Sequence, residues 1–322
     1  PVKTMKILIL NHFIQNFTGS EINALQLCEA LGALGHEAHI GTLIYKPPLQ
    51  DYVLQKGYRV INLLEETGEL DYDLVWAHHA PVLAYLLFKK KLQDTRLVFS
   101  SLSPILPLEA PPVFVEEIHY YLSLSELNQR AMIQAGVPAE RIHIFPNYAP
   151  GRFFSLAKTA HPESPRKIAV SSNHPPEEVR TFADMARSQG VEVDFWGAQD
   201  KITFVDAELL LNYDLVLTIG KTTQYCFALK IPVYSYDHYG GFGYINHDSY
   251  DRAKPSFAGR LCNIHRTSAE LFADIFDNYP ANLANLDFFY NDCQQNYCLE
   301  TNLQHIASQF DAIPVTNIQA FR

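Results

Sequence analysis

The alternation of two kinds of apolar segment is the feature that most limits how this chain can fold. Short continuous apolar runs, such as Lys6–Asn11 and Asp73–Ala77, alternate with segments of helical periodicity, such as Glu21–Leu34. A continuous apolar run is typical of a strand buried on both faces, and strands that alternate with helices form parallel sheets. The pattern therefore predicts an α/β protein whose functional loops follow the carboxyl ends of the strands.

The alternation is interrupted once. It stops at Pro146–Gly151, is followed by a polar stretch to Arg166, and restarts with a strand predicted at Lys167–Ser171. A length of 322 residues favours two domains over one, and a 48% hydrophobic composition supports a sizeable core. We therefore predict two doubly wound Rossmann-like domains, residues 1–150 and 151–281, with a helical tail at 282–322. Two such domains are expected to face a cleft that binds a small ligand.

Charge and cysteine content narrow the classes of function. The chain has 25 Lys and Arg against 35 Asp and Glu, a formal charge of −10, which argues against a broad nucleic-acid surface. Its five cysteines are odd in number and show no disulfide spacing, so we expect reduced thiols. The first apolar run ends at Asn11-His12, too early for a signal peptide core. These features predict a cytoplasmic protein that binds no nucleic acid.

Phe88–Leu92 contains the strongest basic run, Lys89-Lys90-Lys91. One interpretation is a solvated helix end whose cations favour the helix dipole. The other is a weak peripheral contact with anionic lipid at the inner face of the cell membrane.

Four blocks in the first half share their order and spacing with one known family. They are Phe17–Ile22 with Leu31–Glu37, Asp73–His79, Ser123–Glu126 with Gly136–Ile142, and Phe145–Asn147. They resemble the Gly-Gly-x-Glu loop, the Asp-x-Val-His-x-His strand end and the Pro-Asn-Gly segment of nucleotide-sugar-dependent glycosyltransferases of the GT-B fold. The resemblance is especially to the large retaining group that builds bacterial surface polysaccharides.

The resemblance implies a metal-independent, hexosyltransferase-type enzyme of capsule, lipopolysaccharide or similar polysaccharide biosynthesis. Its donor would be a UDP- or GDP-linked sugar, which is a co-substrate, so no cofactor is expected. Its acceptor would be a glycan or a glycolipid. The family also implies a C-terminal tail that packs back on the first domain, and apolar residues between Leu286 and Phe310 provide a face to bury.

The second half departs from the family pattern. Retaining members usually carry two glutamates in an E-x7-E arrangement before an Ala-x-Gly-x-Pro-Val segment, which aligns here with Ala228–Val233. The two glutamate positions then fall on Leu217 and Tyr225. The stereochemistry of transfer therefore stays open, as do two alternatives: a nucleotide-sugar epimerase on the same fold, and a sugar-nucleotide-binding subunit without catalysis.

A leaving nucleotide diphosphate needs stabilisation of its negative charge, which a helix N-terminus can supply. Gly220–Thr223 stands where a predicted strand ends and a helix begins, and it adds a glycine, a lysine and two hydroxyls. The alternative is an ordinary capped helix with a solvated lysine. The predicted donor-binding residues are Gly19, Ser20, Ser172, Asn173, Gly197, Gly220, Lys221, Thr222, Thr223, Tyr239, Gly240 and Gly241.

The candidate catalytic residues belong to the first domain. The resemblance assigns His78 to the family histidine that approaches the donor sugar, with His79 as the second choice. An inverting enzyme would need a general base, for which Glu109, His78 and His79 are candidates, whereas a retaining enzyme of this fold can work without one. Asp71-Tyr72-Asp73 has the letters of a metal motif but enters a predicted strand at its amino end, so we predict no metal.

Overall fold

The computed structural model describes residues 3–197 and 199–321 and divides the chain into two units. The first unit combines Pro1–Pro146 with Glu300–Arg322, and the second is Asn147–Leu299. Each is described by itself below.

The first part of the chain, up to Pro146, alternates strands and helices in the predicted order. The strands are β1 (Lys6–Leu10), β2 (Phe13–Ile14), β3 (Glu37–Thr42), β4 (Ile44–Tyr45), β5 (Val60–Asn62), β6 (Leu74–Ala77), β7 (Thr95–Ser101), β8 (Tyr120–Ser123) and β9 (Ile142–Ile144). The helices are α1 (Gly19–Ala33), α2 (Leu49–Lys56), α3 (Ala80–Lys89) and α4 (Glu126–Gln134).

These strands form a parallel sheet in the order β5-β3-β1-β6-β7-β8-β9, while β2 and β4 make a separate parallel pair. The central strands β1 and β6 are buried over almost their full length, as their continuous apolar sequence requires. Leu8, Val75 and Phe99 belong to one core cluster of this sheet. The predicted doubly wound architecture of this unit is therefore confirmed.

The second unit repeats the architecture on a smaller sheet. Its strands are β10 (Lys167–Ser171), β11 (Glu192–Trp196), β12 (Leu215–Thr218), β13 (Val233–Asp237) and β14 (Gly240–Tyr244). Its helices are α5 (Gly151–Phe154), α6 (Glu177–Ser188), α7 (Ala207–Leu210), α8 (Lys221–Ala228), α9 (His247–Ala253), α10 (Ser268–Leu283) and α11 (Leu286–Asn296). The strand order is β11-β10-β12-β13-β14, parallel except for the antiparallel pair β13–β14.

The sequence predicts a single tail at 282–322. The structure divides this stretch between the two units. The last elements, α12 (Leu299–Ala307) and β15 (Val315–Thr316), lead into the first unit, where β15 pairs antiparallel with β7 and Phe310 is buried against Trp76. Residues 282–299 stay in the second unit because Phe289 of α11 stacks on Phe227 of α8, with ring centroids 4.6 Å apart. The chain therefore changes units after Leu299.

No helix in the described ranges has both the length and the apolar character needed to cross a membrane.

Candidate functional site

In the second unit, β10, β11, β12 and β13 are parallel, so the loops that follow them meet at one edge of the sheet. We call these four loops the second-unit edge. Its loops are in contact: Gln199 Nε2 lies 3.3 Å from His174 Nδ1, and the His174 and His238 rings are 6.5 Å apart. The edge thus gathers most of the predicted donor-binding residues, with Asn173 and Tyr239 exposed and Ser172 half-buried.

Gly220 forms the turn between β12 and α8 at this edge. Its φ of 62° lies in the left-handed region that glycine adopts without strain, and a Cβ placed there would meet open space. The helix that follows leaves its first N–H groups without intrahelical acceptors. Thr222 is half-buried, but Thr223 is fully buried, and its Oγ1 has no hydrogen-bond partner among the described residues. Thr222 is therefore the more accessible of the two predicted hydroxyl contacts.

Lys221, the first residue of α8, has its side chain among aromatic rings. Its Nζ lies 4.0 Å from the centre of the Tyr148 ring and 5.8 Å from that of Tyr225. Burial lowers the pKa of the Lys221 ammonium well below its usual value. The Lys221 ammonium lies over an aromatic face and away from water. An anionic ligand that binds nearby would therefore stabilise its charged form.

Three predicted donor-binding glycines, Gly197, Gly240 and Gly241, pack closely against the protein's own backbone. A Cβ on Gly197 would lie 2.0 Å from the Ser172 carbonyl oxygen, and one on Gly241 would lie 1.9 Å from that of Ser235. At Gly240, which has a φ of 84°, the obstruction is the Ile264 carbonyl oxygen at 2.2 Å. These glycines therefore allow a close approach of the protein's own backbone, and donor binding by them remains a prediction.

Sequence reasoning missed Asp237 at the end of β13. Its carboxylate is buried and accepts hydrogen bonds from the backbone N–H groups of Tyr239, at 2.6 Å, and Gly259, at 3.3 Å. The sequence signal that could have identified it is an acidic residue directly after the apolar run Pro232–Tyr236. Asp237 ties the turn after β13 to the segment around Gly259.

In the first unit, the loops after β1, β6 and β7 bring together His12, His78, His79 and Glu109. His79 Nδ1 accepts a hydrogen bond from the backbone N–H of His12 at 2.9 Å. A neutral His79 therefore carries its proton on Nε2, which lies 3.7 Å from Glu109 Oε1. His78 and His79 are each 1% exposed and Glu109 is 8% exposed. The three predicted catalytic residues lie at the expected edge but are buried, so catalytic contact by them remains a prediction.

His12 is a second residue that sequence reasoning missed, although it directly follows the first predicted strand. Its ring packs against Phe13, with centroids 4.6 Å apart, and its Nδ1 has no hydrogen-bond partner in the part of the chain that the structure describes. Burial, with His79 as a second cause, lowers the pKa of the His12 imidazole. His12 is more exposed than His78 or His79, which makes it a further candidate base.

Gly19 and Ser20 form the first turn of α1, Gly19 exposed and Ser20 half-buried. The carboxylate of Glu21 holds the loop before them: its Oε1 accepts hydrogen bonds from the backbone N–H groups of Gln15, at 2.6 Å, and Asn16, at 2.8 Å. The glutamate of the Gly-x-Glu pattern therefore has a structural role, because it holds the loop that precedes α1. A phosphate or acceptor contact by Gly19 or Ser20 remains a prediction.

The remaining predicted features concern lysines and metal. Lys90 donates to the Glu66 carbonyl oxygen, while Lys89 and Lys91 are exposed.

Asp73 accepts a hydrogen bond from the backbone N–H of Lys6 at 2.8 Å, at the amino ends of β6 and β1. Within residues 3–197 and 199–321, no group of three or more His, Cys, Asp or Glu could hold a metal ion. Metal independence remains a prediction.

No family model matches the sequence, and no curated protein does. Solved structures do match. HepE of Anabaena, in complex with UDP and glucose, is 17% identical with a TM-score of 0.63, and the match covers 96% of this chain and 100% of HepE. A glycosyltransferase from Rickettsia africae is 12% identical with a TM-score of 0.59, over 96% of this chain and 98% of its own.

An epimerase has a similar structure. UDP-GlcNAc 2-epimerase from Neisseria meningitidis, bound to UDP-GlcNAc, is 10% identical with a TM-score of 0.52, over 96% of this chain and 100% of its own. At these identities the likeness shows the fold. The chain has the GT-B fold of nucleotide-sugar glycosyltransferases, which an epimerase shares.

Proposed function

We propose that this protein is a glycosyltransferase that moves a sugar from a UDP- or GDP-linked donor to a glycan or glycolipid acceptor. The observation that carries the proposal is the turn at Gly220, where open space adjoins the N-terminus of α8. Backbone N–H groups and the positive end of the helix dipole suit a leaving diphosphate. HepE is solved with UDP and with UDP-glucose, which supports a UDP-linked donor.

The first unit would then bind the acceptor. Its cluster of His12, His78, His79 and Glu109 supplies the candidate bases that an inverting reaction needs. We propose surface polysaccharide biosynthesis in the cytoplasm as the setting, on the motif resemblance of this unit. A weak contact of Lys89 and Lys91 with anionic lipid would bring the enzyme to a glycolipid acceptor.

We propose that transfer needs neither a cofactor nor a metal ion. The N-terminus of α8 offers positive potential of its own at the second-unit edge, and Lys221 would add a positive charge once donor binding protonates it. Addition of EDTA should therefore leave the rate of transfer unchanged, and a rate restored only by Mg²⁺ or Mn²⁺ would contradict metal independence.

The epimerase and the inactive binding subunit are the competing functions. The epimerase is favoured by the fold shared with the Neisseria enzyme. The inactive subunit is favoured by Leu217 and Tyr225, which occupy the positions aligned with the family glutamates and are 1% and 3% exposed. Buried side chains of this kind cannot replace carboxylates in contact with a donor.

Incubation with a panel of UDP- and GDP-sugars, with and without glycan and glycolipid acceptors, separates the three. Release of UDP or GDP with sugar transfer or hydrolysis supports the glycosyltransferase. Formation of an epimer supports the epimerase, and tight binding without turnover supports the inactive subunit. Absence of nucleotide binding in calorimetry would contradict all three.

A further inference from the structure

Helix α3 of the first unit carries no charged residue before its last position, Lys89. One face is buried in the core cluster of the sheet, through Val82, Leu83, Leu86 and Leu87. On the opposite face, Pro81 and Phe88 are exposed and Tyr85 is half-buried. A surface helix normally carries polar and charged residues on its outward face. The outward face of α3 is therefore unusually apolar.

The loop after β7 lies along α3. At the start of the helix, Glu109 Oε1 of this loop lies 3.7 Å from Nε2 of His79, the residue that precedes α3. At the end of the helix, the Phe114 and Phe88 ring centroids are 6.0 Å apart. Phe321 contacts both rings, at 5.7 Å from Phe88 and 5.5 Å from Phe114. These contacts fix the loop beside the outward face of α3.

The same loop extends the apolar surface. Ile105 and Leu106 are exposed, and Val113, next to Phe114, is 100% exposed. From residue 102 to residue 115 the sequence has one charged side chain, Glu109, and that side chain is buried. Contiguous exposed apolar residues of this kind mark interaction sites. We call Pro81, Tyr85, Phe88, Ile105, Leu106 and Val113, with Lys89 and Lys91, the α3 surface.

Charge indicates what kind of partner this surface fits. Lys89 and Lys91 are exposed, and within residues 3–197 and 199–321 neither makes a hydrogen bond or an ion pair. The two segments that form the surface, 80–93 and 102–115, contain three lysines and one acid, the buried Glu109. A second copy of this surface would therefore offer no exposed carboxylate to the lysines. Its partner must combine an apolar layer with negative charge.

We propose that the α3 surface docks on a lipid bilayer that contains anionic lipids. Phe88 and Val113 enter the boundary between headgroups and acyl chains, and Lys89 and Lys91 bind anionic headgroups. Lysine suits this position because its apolar stem can lie beside Phe88 while its ammonium stays in water. The net charge of −10 makes binding depend on this local pair of lysines, since the rest of the protein is repelled by anionic lipid.

This inference deepens the proposed function, in which a lipid contact was assigned to the two lysines alone. It adds the apolar residues that enter the bilayer, and it favours the glycolipid over the soluble glycan as acceptor. Lipid binding and nucleotide binding are measured separately, so the two proposals can fail independently.

The test is co-flotation of the full chain with vesicles of phosphatidylcholine alone or mixed equally with phosphatidylglycerol. Val113→Ser removes an exposed apolar side chain, and the double variant Lys89→Gln with Lys91→Gln removes the charges. Leu54→Ser and Lys56→Gln are the matched controls, because both residues are exposed on α2 of the same unit. Thermal unfolding reports folding of each variant, and sedimentation measures self-association.

We expect wild type to bind the mixed vesicles more tightly than phosphatidylcholine alone. The double lysine variant should lose roughly ten- to thirtyfold in affinity for the mixed vesicles. Val113→Ser should lose roughly three- to tenfold on both kinds of vesicle, and the α2 controls should match wild type.

A wild type that does not float with the mixed vesicles would overturn the inference, as would equal losses in the α2 controls. Self-association that Val113→Ser abolishes, without vesicle binding by wild type, would assign the surface to a second copy and would also overturn it. Absence of UDP and GDP binding in calorimetry would instead contradict the proposed function.

Discussion

At the scale of single residues, the burial of Lys221 affects how this lysine would bind a ligand. Its ammonium is held over the Tyr148 ring at the start of α8, where burial lowers its pKa. A diphosphate bound at the same helix end would favour the charged form and raise that pKa again. Ligand binding should therefore be coupled to proton uptake by this lysine.

Replacing Lys221 with Ala should weaken UDP or GDP binding by about 1.5–3 kcal/mol, the value of a hydrogen bond to a charged group. Because binding takes up a proton, wild-type affinity should also fall as the pH rises from the lowered pKa of the free lysine towards its higher pKa in the complex, and this pH dependence should be absent from the variant. Calorimetry over a pH series measures both effects. Lys254→Ala is the matched control, since Lys254 also lies over a tyrosine ring, Tyr250, at 5.0 Å.

The two adjacent histidines should respond differently to replacement. His78→Ala should lower turnover at least as much as it raises the KM for donor, if its imidazole acts in the transition state. His79→Ala should lower turnover less but should cost about 1–3 kcal/mol of stability, because it leaves the backbone N–H of His12 without its acceptor. Steady-state kinetics and urea unfolding measure the two effects.

His119→Ala is a suitable control for stability, because the described part of the chain shows no hydrogen bond to the His119 side chain. A fully active His78→Ala would mean that His78 is structural. A His79→Ala protein as stable as His119→Ala would contradict the positioning role of the His12–His79 hydrogen bond.

At the scale of elements, two glycines beside the second sheet have different reasons for lacking a side chain. Gly220 has a positive φ but open space for a Cβ, whereas a Cβ at Gly259 would overlap the Gly240 carbonyl oxygen at 1.8 Å. Gly220→Ala should therefore cost about 1–3 kcal/mol through backbone strain alone, because a φ of 62° with a ψ of −139° is a conformation that side-chain-bearing residues rarely adopt. Gly259→Ala should cost more than about 3 kcal/mol, because the turn after β13 must move.

Urea unfolding of both variants measures the difference. Gly190→Ala, at a φ of 81° with open space around it, is the control for strain away from the second-unit edge. Equal stability of the Gly220 and Gly259 variants would contradict the packing explanation.

At the scale of the whole molecule, the chain completes its first unit with its last residues. β15 pairs with β7, the backbone N–H of Ile318 donates to Asp94 at 2.9 Å, and Phe310 is 1% exposed. Phe310→Ala should therefore destabilise the first unit by about 3–5 kcal/mol. Hydrogen exchange would show faster exchange in β1 and β6 than in wild type, with β10 and β12 unchanged as the internal control. Equal loss of protection in both sheets would contradict this assignment.

Acid should destabilise the whole protein before its carboxylates protonate. Several histidines have a pKa lowered from the usual 6.5, with burial as the largest cause: His12, His36, His39, His119, His143 and His161. Because the unfolded chain binds these protons more readily, the stability contribution is complete above pH about 6.5 and is lost as the pH falls below it. Urea unfolding at pH 7.5, 6 and 5 should show this decrease, and constant stability over that range would contradict it.

Local sequence determined the order and type of most elements. The apolar run before Asn11 became β1, and Lys167–Ser171 became β10 with the same bounds. Strand and helix periodicity is a property of neighbouring residues, and parallel strands place their following loops at one edge. The positions of the Gly220 turn and of the histidine pair could therefore be predicted from sequence.

Tertiary structure alone decided which residues that are distant in sequence contact one another at those positions. Gly240–Tyr244 became a strand because it pairs with β13, and its first glycine is required by the Ile264 carbonyl oxygen. The tautomer of His79 depends on His12, and the position of the segment around Gly259 depends on Asp237. Each of these contacts joins residues that are 22 to 67 positions apart, except the shorter hairpin pairing. Local periodicity carries no information about such contacts, because they form only when the sheets have assembled.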